Sequence, residues 1–236
     1  MAKLRPITRE RANDAVHSAL RQAILTSVLR PGERLNVSEL ADELNVSLTP
    51  VRNAIQLLAA EGLIEVRPRS GTFVASVRAA DVVETFHIRR ALECLAAELA
   101  CAQITTHELD HLRDLLGIMR KPIRNEEDRA QHERTNAAFH LAILRAARNS
   151  RLIDSYDRLN AHIQIARIHA SDTDWKSRLK DERREHEEIV DAIAAHETER
   201  AIRAVRAHLD RACASLLEAI RLKDSKPIRS EGSAAD

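Results

Sequence analysis

Aromatic residues are nearly missing from this chain: three Phe, one Tyr and one Trp, 2% of 236 residues. A core with so few rings has to be built from Leu, Ile, Val and Ala. Glycine (5) and proline (6) are also scarce while charged residues reach 31%, a balance that suggests a helix-rich protein. The three cysteines, Cys94, Cys101 and Cys213, fit no disulfide or zinc-finger spacing and sit beside apolar residues, so buried free thiols are expected. No apolar run reaches 18 residues, and the opening MAKLRPITRE lacks the apolar core of a signal peptide. A cytoplasmic protein with no membrane partner is the expectation, and the Asn-x-Ser sequons at Asn36 and Asn45 are then chance matches. Net charge is lacking too, at +1. Residues 1–80 nevertheless hold 11 Lys+Arg against 8 Asp+Glu, a surplus that permits an anionic partner without requiring one.

What is present is apolar periodicity. The length predicts two domains, and 44% apolar content is enough for a real core. Val16, Leu20, Ala23 and Ile24 have helical spacing, Pro31-Gly32 makes a turn, and Asn36 with Glu39 resembles a capping box opening a short helix to Leu44. Ser47 is placed to cap a third helix, with Pro50 in its first turn, where no amide hydrogen is needed. Glu61-Gly62 ends it. Two β-type runs follow, Leu63–Arg67 and Thr72–Ser76, around a Pro-Arg-Ser-Gly turn. Three helices and a hairpin in that order predict a winged helix-turn-helix over 9–76. Beyond it, six helices are expected near 81–102, 106–120, 127–147, 150–171, 175–196 and 198–222. Residues 223–236, polar and without period, are expected as a disordered tail.

In the third helix Val51, Ala54, Ile55 and Leu58 form the inward stripe, leaving Thr49, Arg52, Asn53 and Gln56 on the other side. Arg can grip guanine bidentately, Asn and Gln can grip adenine, and Thr can reach a phosphate or thymine methyl. With Ser47 at the helix start and Arg67 and Arg69 at the hairpin, these residues outline a surface for double-stranded DNA: major-groove readout with a wing beside the backbone. The run LRPGERL…LADELNVSLTPVRNAIQLLAAEGLIEVRPRSGTFVA resembles the GntR superfamily of bacterial transcription regulators. That resemblance implies DNA contacts by Thr49 and Arg52 and a wing tip at Gly71. The chain departs from the family's pattern at Leu48, where Arg is usual, and at Asn53, where Glu is usual.

Among 11 histidines, three have suggestive placement. Asn136 and His140 are four apart, so they stack on one helix face. His186 and His208 lie on consecutive helices, each 11 residues from the joint near Glu197, so an antiparallel hairpin puts both about 16 Å from the turn. All three point at or beside apolar seams, where converging imidazoles suit a divalent metal and separate hydrogen-bonded core histidines are the plain alternative. The remaining eight, His132 among them, are expected at the surface or partly buried. IRRALECLAAELA, NAAFHLAILRAARN and EHEEIVDAI…AIRAVRAHL resemble the FCD ligand-binding domain of the FadR subfamily, in its six-helix VanR-type branch. The resemblance implies a divalent metal (Zn, Ni or Mn) on His140, His186 and His208, with Asn136 in the slot where the family carries Asp. An amide binds metal more weakly than carboxylate and leaves the site a full +2 charge, favouring an anionic effector. Arg89 is a candidate anchor for that effector; a salt bridge to Glu93 one turn later is the competing reading.

The expected protein is thus mostly α: an N-terminal winged helix-turn-helix plus a C-terminal antiparallel six-helix bundle over 81–222. It would be a repressor-type regulator that dimerises through the bundle, reads an inverted-repeat operator and answers to a small carboxylate effector. Two rivals remain: a metal-free regulator holding a larger acyl ligand, and a metal-dependent hydrolase. The hydrolase suffers because no acid or lysine is obviously placed beside the three histidines as a general base.

Overall fold

The computed structural model describes residues 10–26, 28–76, 78–169 and 176–224. Nine helices and one small sheet lie among them. The chain divides into two units: Met1–Arg78 with Arg158–His169, and Ala79–Asp157 with Ala170–Asp236.

In the first unit, α1 (Glu10–Leu25), α2 (Val37–Glu43) and α3 (Leu48–Ala60) surround one aliphatic core. The stripe of α3 is buried as its spacing dictates, with Val51, Ala54 and Leu58 fully inaccessible, packed with Val16, Leu20 and Ile24 of α1. The tight turn between α2 and α3 has a local cause. Asn45 adopts φ 51°, so its amide reaches the Asp42 carbonyl and that of Val46 reaches Ala41; Asn tolerates this left-handed geometry better than most residues. Gly62 at φ 76° ends α3 the same way.

Two local expectations change here. Glu39 does not close a capping box on the Asn36 backbone; its carboxylate accepts from the Asn36 side-chain amide at 2.7 Å, while Asn36 Oδ1 accepts from the Ser38 amide at 3.1 Å. The hairpin of β2 (Ile64–Arg67) and β3 (Gly71–Val74) also gains a third strand, β1 (Arg34–Leu35), giving the antiparallel order β1-β3-β2. A strand of two residues is too short to carry an alternation that sequence could reveal.

The second unit contains α4 (Ala79–Gln103), α5 (Thr106–Met119), α6 (Glu126–Ala146), α7 (Ser150–His169) as far as Asp157, α8 (Lys176–Ala194) and α9 (Thr198–Asp224). α4 lies along α9, and its inaccessible face is made of small residues, Ala96, Ala97 and Ala100. Thr105 and Glu108 form the complete capping box at the start of α5. α8 turns into α9 through His196 at φ 57°, with the Glu197 amide on the Ala192 carbonyl. α9 runs two residues past its expected end at 222, and 225–236 of the expected tail lie outside the described residues. Cys101 is buried as expected, whereas Cys94 and Cys213 are only half-buried; all three are free thiols.

Candidate metal centre and nucleic-acid interface

The outer side of α3 is polar and open. Thr49, Arg52 and Gln56 are exposed and Asn53 is half-buried. Ser47 occupies the N-cap position with extended backbone, as expected, although its hydroxyl makes no capping hydrogen bond. Leu48, where the family carries Arg, stands 39% exposed on the first turn. In the wing, Pro68, Arg69 and Ser70 form the turn and Gly71 opens β3, so the tip lies just before Gly71 rather than at it. Arg69 is exposed there at φ 64°. Arg67 is exposed as well, but Nε and Nη2 both donate to Glu65 Oε2 at 2.9 and 2.7 Å, and its guanidinium lies 4.6 Å over the Phe73 ring. Its charge is therefore already partnered.

The bundle brings His140, His186 and His208 together. Each offers one nitrogen within 4.8 Å of the others, and the ring centroids are 4.5 to 5.5 Å apart. The tight α8–α9 joint is what puts His186 level with His208. Bonds of about 2.1 Å at tetrahedral angles set ligand atoms about 3.4 Å apart, so closing on an ion asks for only small side-chain shifts. Asn136, one turn before His140 on α6, is buried.

Two carboxylates orient two of these rings. His140 Nδ1 meets Glu93 Oε2 at 2.7 Å, and His208 Nδ1 meets Glu185 Oε2 at 2.9 Å. An ionised carboxylate only accepts, so Nδ1 carries the proton in each ring, which turns Nε2 towards the site, the orientation in which histidine ligates metal. Burial pushes the Glu93 carboxyl up, but Arg89 and His140 outweigh it and hold it well below the usual carboxylate range. Arg211 pairs with Glu185. Burial, with His140 and Arg89 nearby, lowers His208 to about 3. Burial and His208 push His186 well below its ordinary value. Both imidazoles are neutral at pH 7, as ligands must be.

His208 Nε2 is buried without a hydrogen-bond partner. Leaving such an atom unsatisfied costs about 1–3 kcal/mol, and a metal ion would satisfy it. The donor set of three imidazoles with an amide oxygen nearby fits a borderline divalent ion such as Zn or Ni; Mn, which prefers carboxylate and water oxygens, fits it less well.

Of the two alternatives for Arg89, the salt bridge to Glu93 is the one that forms. Arg89 is only 1% exposed, and its Nε donates to Glu93 Oε1 at 2.5 Å, while Nη1 is buried with no partner. One donor remains uncommitted beside the histidines. Three further features were not expected. Acids do stand beside the histidines, Glu93 and Glu185, but each is spent on an Nδ1 proton. Glu93 was visible only as an i+4 partner of Arg89, and Glu185 only as the neighbour of His186; neither spacing reveals a contact with another helix. His132, expected near the surface, is buried on α6 with Nε2 3.1 Å from Glu182.

Comparison with known proteins gives two matches along the chain. Residues 12–74 match the family described as bacterial regulatory proteins, gntR family, and residues 84–211 match the FCD domain. An uncharacterized HTH-type transcriptional regulator of Bacillus subtilis, YdhC, is 32% identical over 200 residues, covering 85% of this chain and 88% of that protein. The HTH-type transcriptional repressor RspR of Escherichia coli is 29% identical over 197 residues, covering 84% and 85%. The solved structure of E. coli McbR/YncC superposes with a TM-score of 0.75 at 23% identity, covering 88% of this chain and 97% of that one.

Proposed function

Because this chain belongs to the GntR family of bacterial regulatory proteins and carries an FCD domain, it is a DNA-binding transcriptional regulator and not an enzyme, and we propose that a metal-assisted organic-acid site in its bundle controls its hold on an operator. The action is repression, as the name of the E. coli relative says of that protein. Thr49, Arg52, Asn53 and Gln56 read base edges in the major groove, Ser47 takes a phosphate, and Arg69 and Gly71 set the wing on the backbone, with Arg67 held to Glu65 beside them.

His140, His186 and His208 hold the ion, with Asn136 as a weaker oxygen ligand. When bound, the ion supplies a positive centre that takes a carboxylate oxygen. Arg89 Nη1 grips the same carboxylate, Glu93 keeps Arg89 and His140 in place, and the surrounding apolar side chains exclude water. The single observation carrying this reading is the buried, unpartnered His208 Nε2 beside the imidazoles of His140 and His186.

Two copies bind an inverted repeat. α4 presents an apolar stripe to solvent, Ile88 at 54% and Leu95 at 41% exposed with half-buried Leu92 and Leu99 between and beyond, and this is the dimer face. The same helix carries Arg89 and Glu93 inward, so an effector that moves α4 alters the pairing of subunits. Its influence on operator affinity is bounded by its differential affinity for the two arrangements.

The test is metal analysis of untagged protein beside its His186→Ala variant. About one equivalent per chain, lost in the variant, supports the site, and small carboxylates should then raise the melting temperature of the loaded protein only. Wild-type protein that stays metal-free after loading would move the reading to a metal-free regulator whose histidines only hydrogen-bond.

A further inference from the structure

The wing sheet carries a third arginine, Arg34, that neither helix pattern nor hairpin pattern singled out. Strand register decides which residues share its faces. Arg34 and Glu65 are both opposite Phe73, and Arg67 is opposite Gly71; these five form one face. The other face carries Leu35, Ile64 and Val74, all buried in the core. The face with the arginines therefore looks outward, and Gly71 and Arg67 lie one row nearer the tip than Arg34.

Arg34 reaches across that row. A Cβ at Gly71 would lie 3.1 Å from Arg34 Nε, 3.6 Å from Nη2 and 3.7 Å from Phe73 Cε2. Gly71 thus has two reasons to be glycine: a φ of 122° that side chains rarely adopt, and space that a guanidinium occupies. The charges on this face are unequal. Glu65 holds both Nε and Nη2 of Arg67, whereas Arg34 has no carboxylate within ion-pair distance among the described residues and is exposed.

We propose that Arg34 is a DNA-phosphate contact of the wing, carried to the tip row by the missing side chain of Gly71. It supplies the uncompensated positive charge on the face where Arg67 is neutralised by Glu65. The inference rests on the DNA-binding assignment and adds a residue from β1, outside the helix-turn-helix and the hairpin. The competing role for Arg34 is to cover the Phe73 ring with its stem, which involves no phosphate.

Salt dependence separates the two. Each phosphate neutralised contributes about 0.9 to the slope of log K against log salt, so one contact is worth about eightfold in affinity at about 0.1 M salt. Arg34→Gln keeps most of the stem and removes the charge. Measured by fluorescence anisotropy, it should lower the slope by about 0.9 per bound chain and weaken binding about eightfold per chain at about 0.1 M salt. The loss should be equal on a duplex of arbitrary sequence and on an operator selected from a random pool. Gly71→Ala should lose part of the same slope, and the double variant should lose no more slope than Arg34→Gln alone. Thermal melts exclude misfolding as the cause. An unchanged slope, or a loss confined to the selected operator, would overturn the inference while leaving DNA binding intact. If the wild type shows no salt-dependent duplex binding, and Arg52→Ala alters nothing, the DNA-binding assignment itself fails.

Discussion

Replacing Glu93 by Gln tests the buried polar chain that joins Arg89 to the candidate metal centre. Both Glu93 oxygens are committed, to Arg89 Nε at 2.5 Å and His140 Nδ1 at 2.7 Å, and Arg89 and Glu93 are 1% and 3% exposed. Gln preserves the shape and can still accept from His140, but it strips the counter-charge from a guanidinium with no access to water. Removing one partner of a buried pair costs about 3–5 kcal/mol. For a protein of this size about 2–4 °C are lost per kcal/mol, so the melting temperature should fall by roughly 6–20 °C. The assay is thermal and urea denaturation of the metal-free chain followed by far-UV circular dichroism. Adding Arg89→Met to the Gln variant should restore most of the loss, because the pair removed together leaves no unpaired charge. In a chelator competition, the Gln variant should also bind metal about 10–100-fold more weakly, since His140 loses its orienting carboxylate. A stability change under about 1 kcal/mol, or a double variant no better than the single one, would refute the claim that this ion pair is buried and isolated from solvent.

Asn136→Asp should tighten metal binding by at least about tenfold by supplying a charged oxygen, and should weaken a carboxylate effector by halving the net charge that attracts it; calorimetric titration reads both, and unchanged metal affinity would remove residue 136 from the ligand set. Leu95→Asp places a charge in the exposed α4 stripe and should convert a dimer to monomer in light scattering without lowering helicity; an unaltered mass would place the dimer face elsewhere. In the metal-free chain, His186 and His208 are depressed below their ordinary value, so the unfolded chain binds more protons below about pH 6.5. Their contribution is complete above that pH and is lost as pH falls towards the folded value, about 3 for His208; a urea midpoint equal at about pH 7.5 and about pH 5.5 would contradict it.

Much of this protein was legible from local pattern. The apolar stripe of α3 dictated its inward side, and Thr49, Arg52 and Gln56 were left exposed by the same period. Six helices beyond residue 78 followed from sustained helical spacing, and their ends moved by a few residues where caps and frayed turns decide. His186 and His208 at equal distance from one joint needed only the rise of a helix to be placed level.

Tertiary structure decided what spacing cannot encode. The third strand, Arg34–Leu35, exists because Phe73 and Thr72 are there to pair with it. Arg89 lies one turn from Glu93 whether the pair is exposed or buried; packing of α4 against α6 and α9 makes it buried, gives the second Glu93 oxygen to His140 and leaves Arg89 Nη1 without a partner. Glu185 finds His208 across the α8–α9 hairpin, and His132 finds Glu182 across another helix pair. Periodicity specifies which side of one helix is apolar. Which polar atoms meet across helices depends on the rotation and height of each against its neighbours, and packing of the whole bundle sets those.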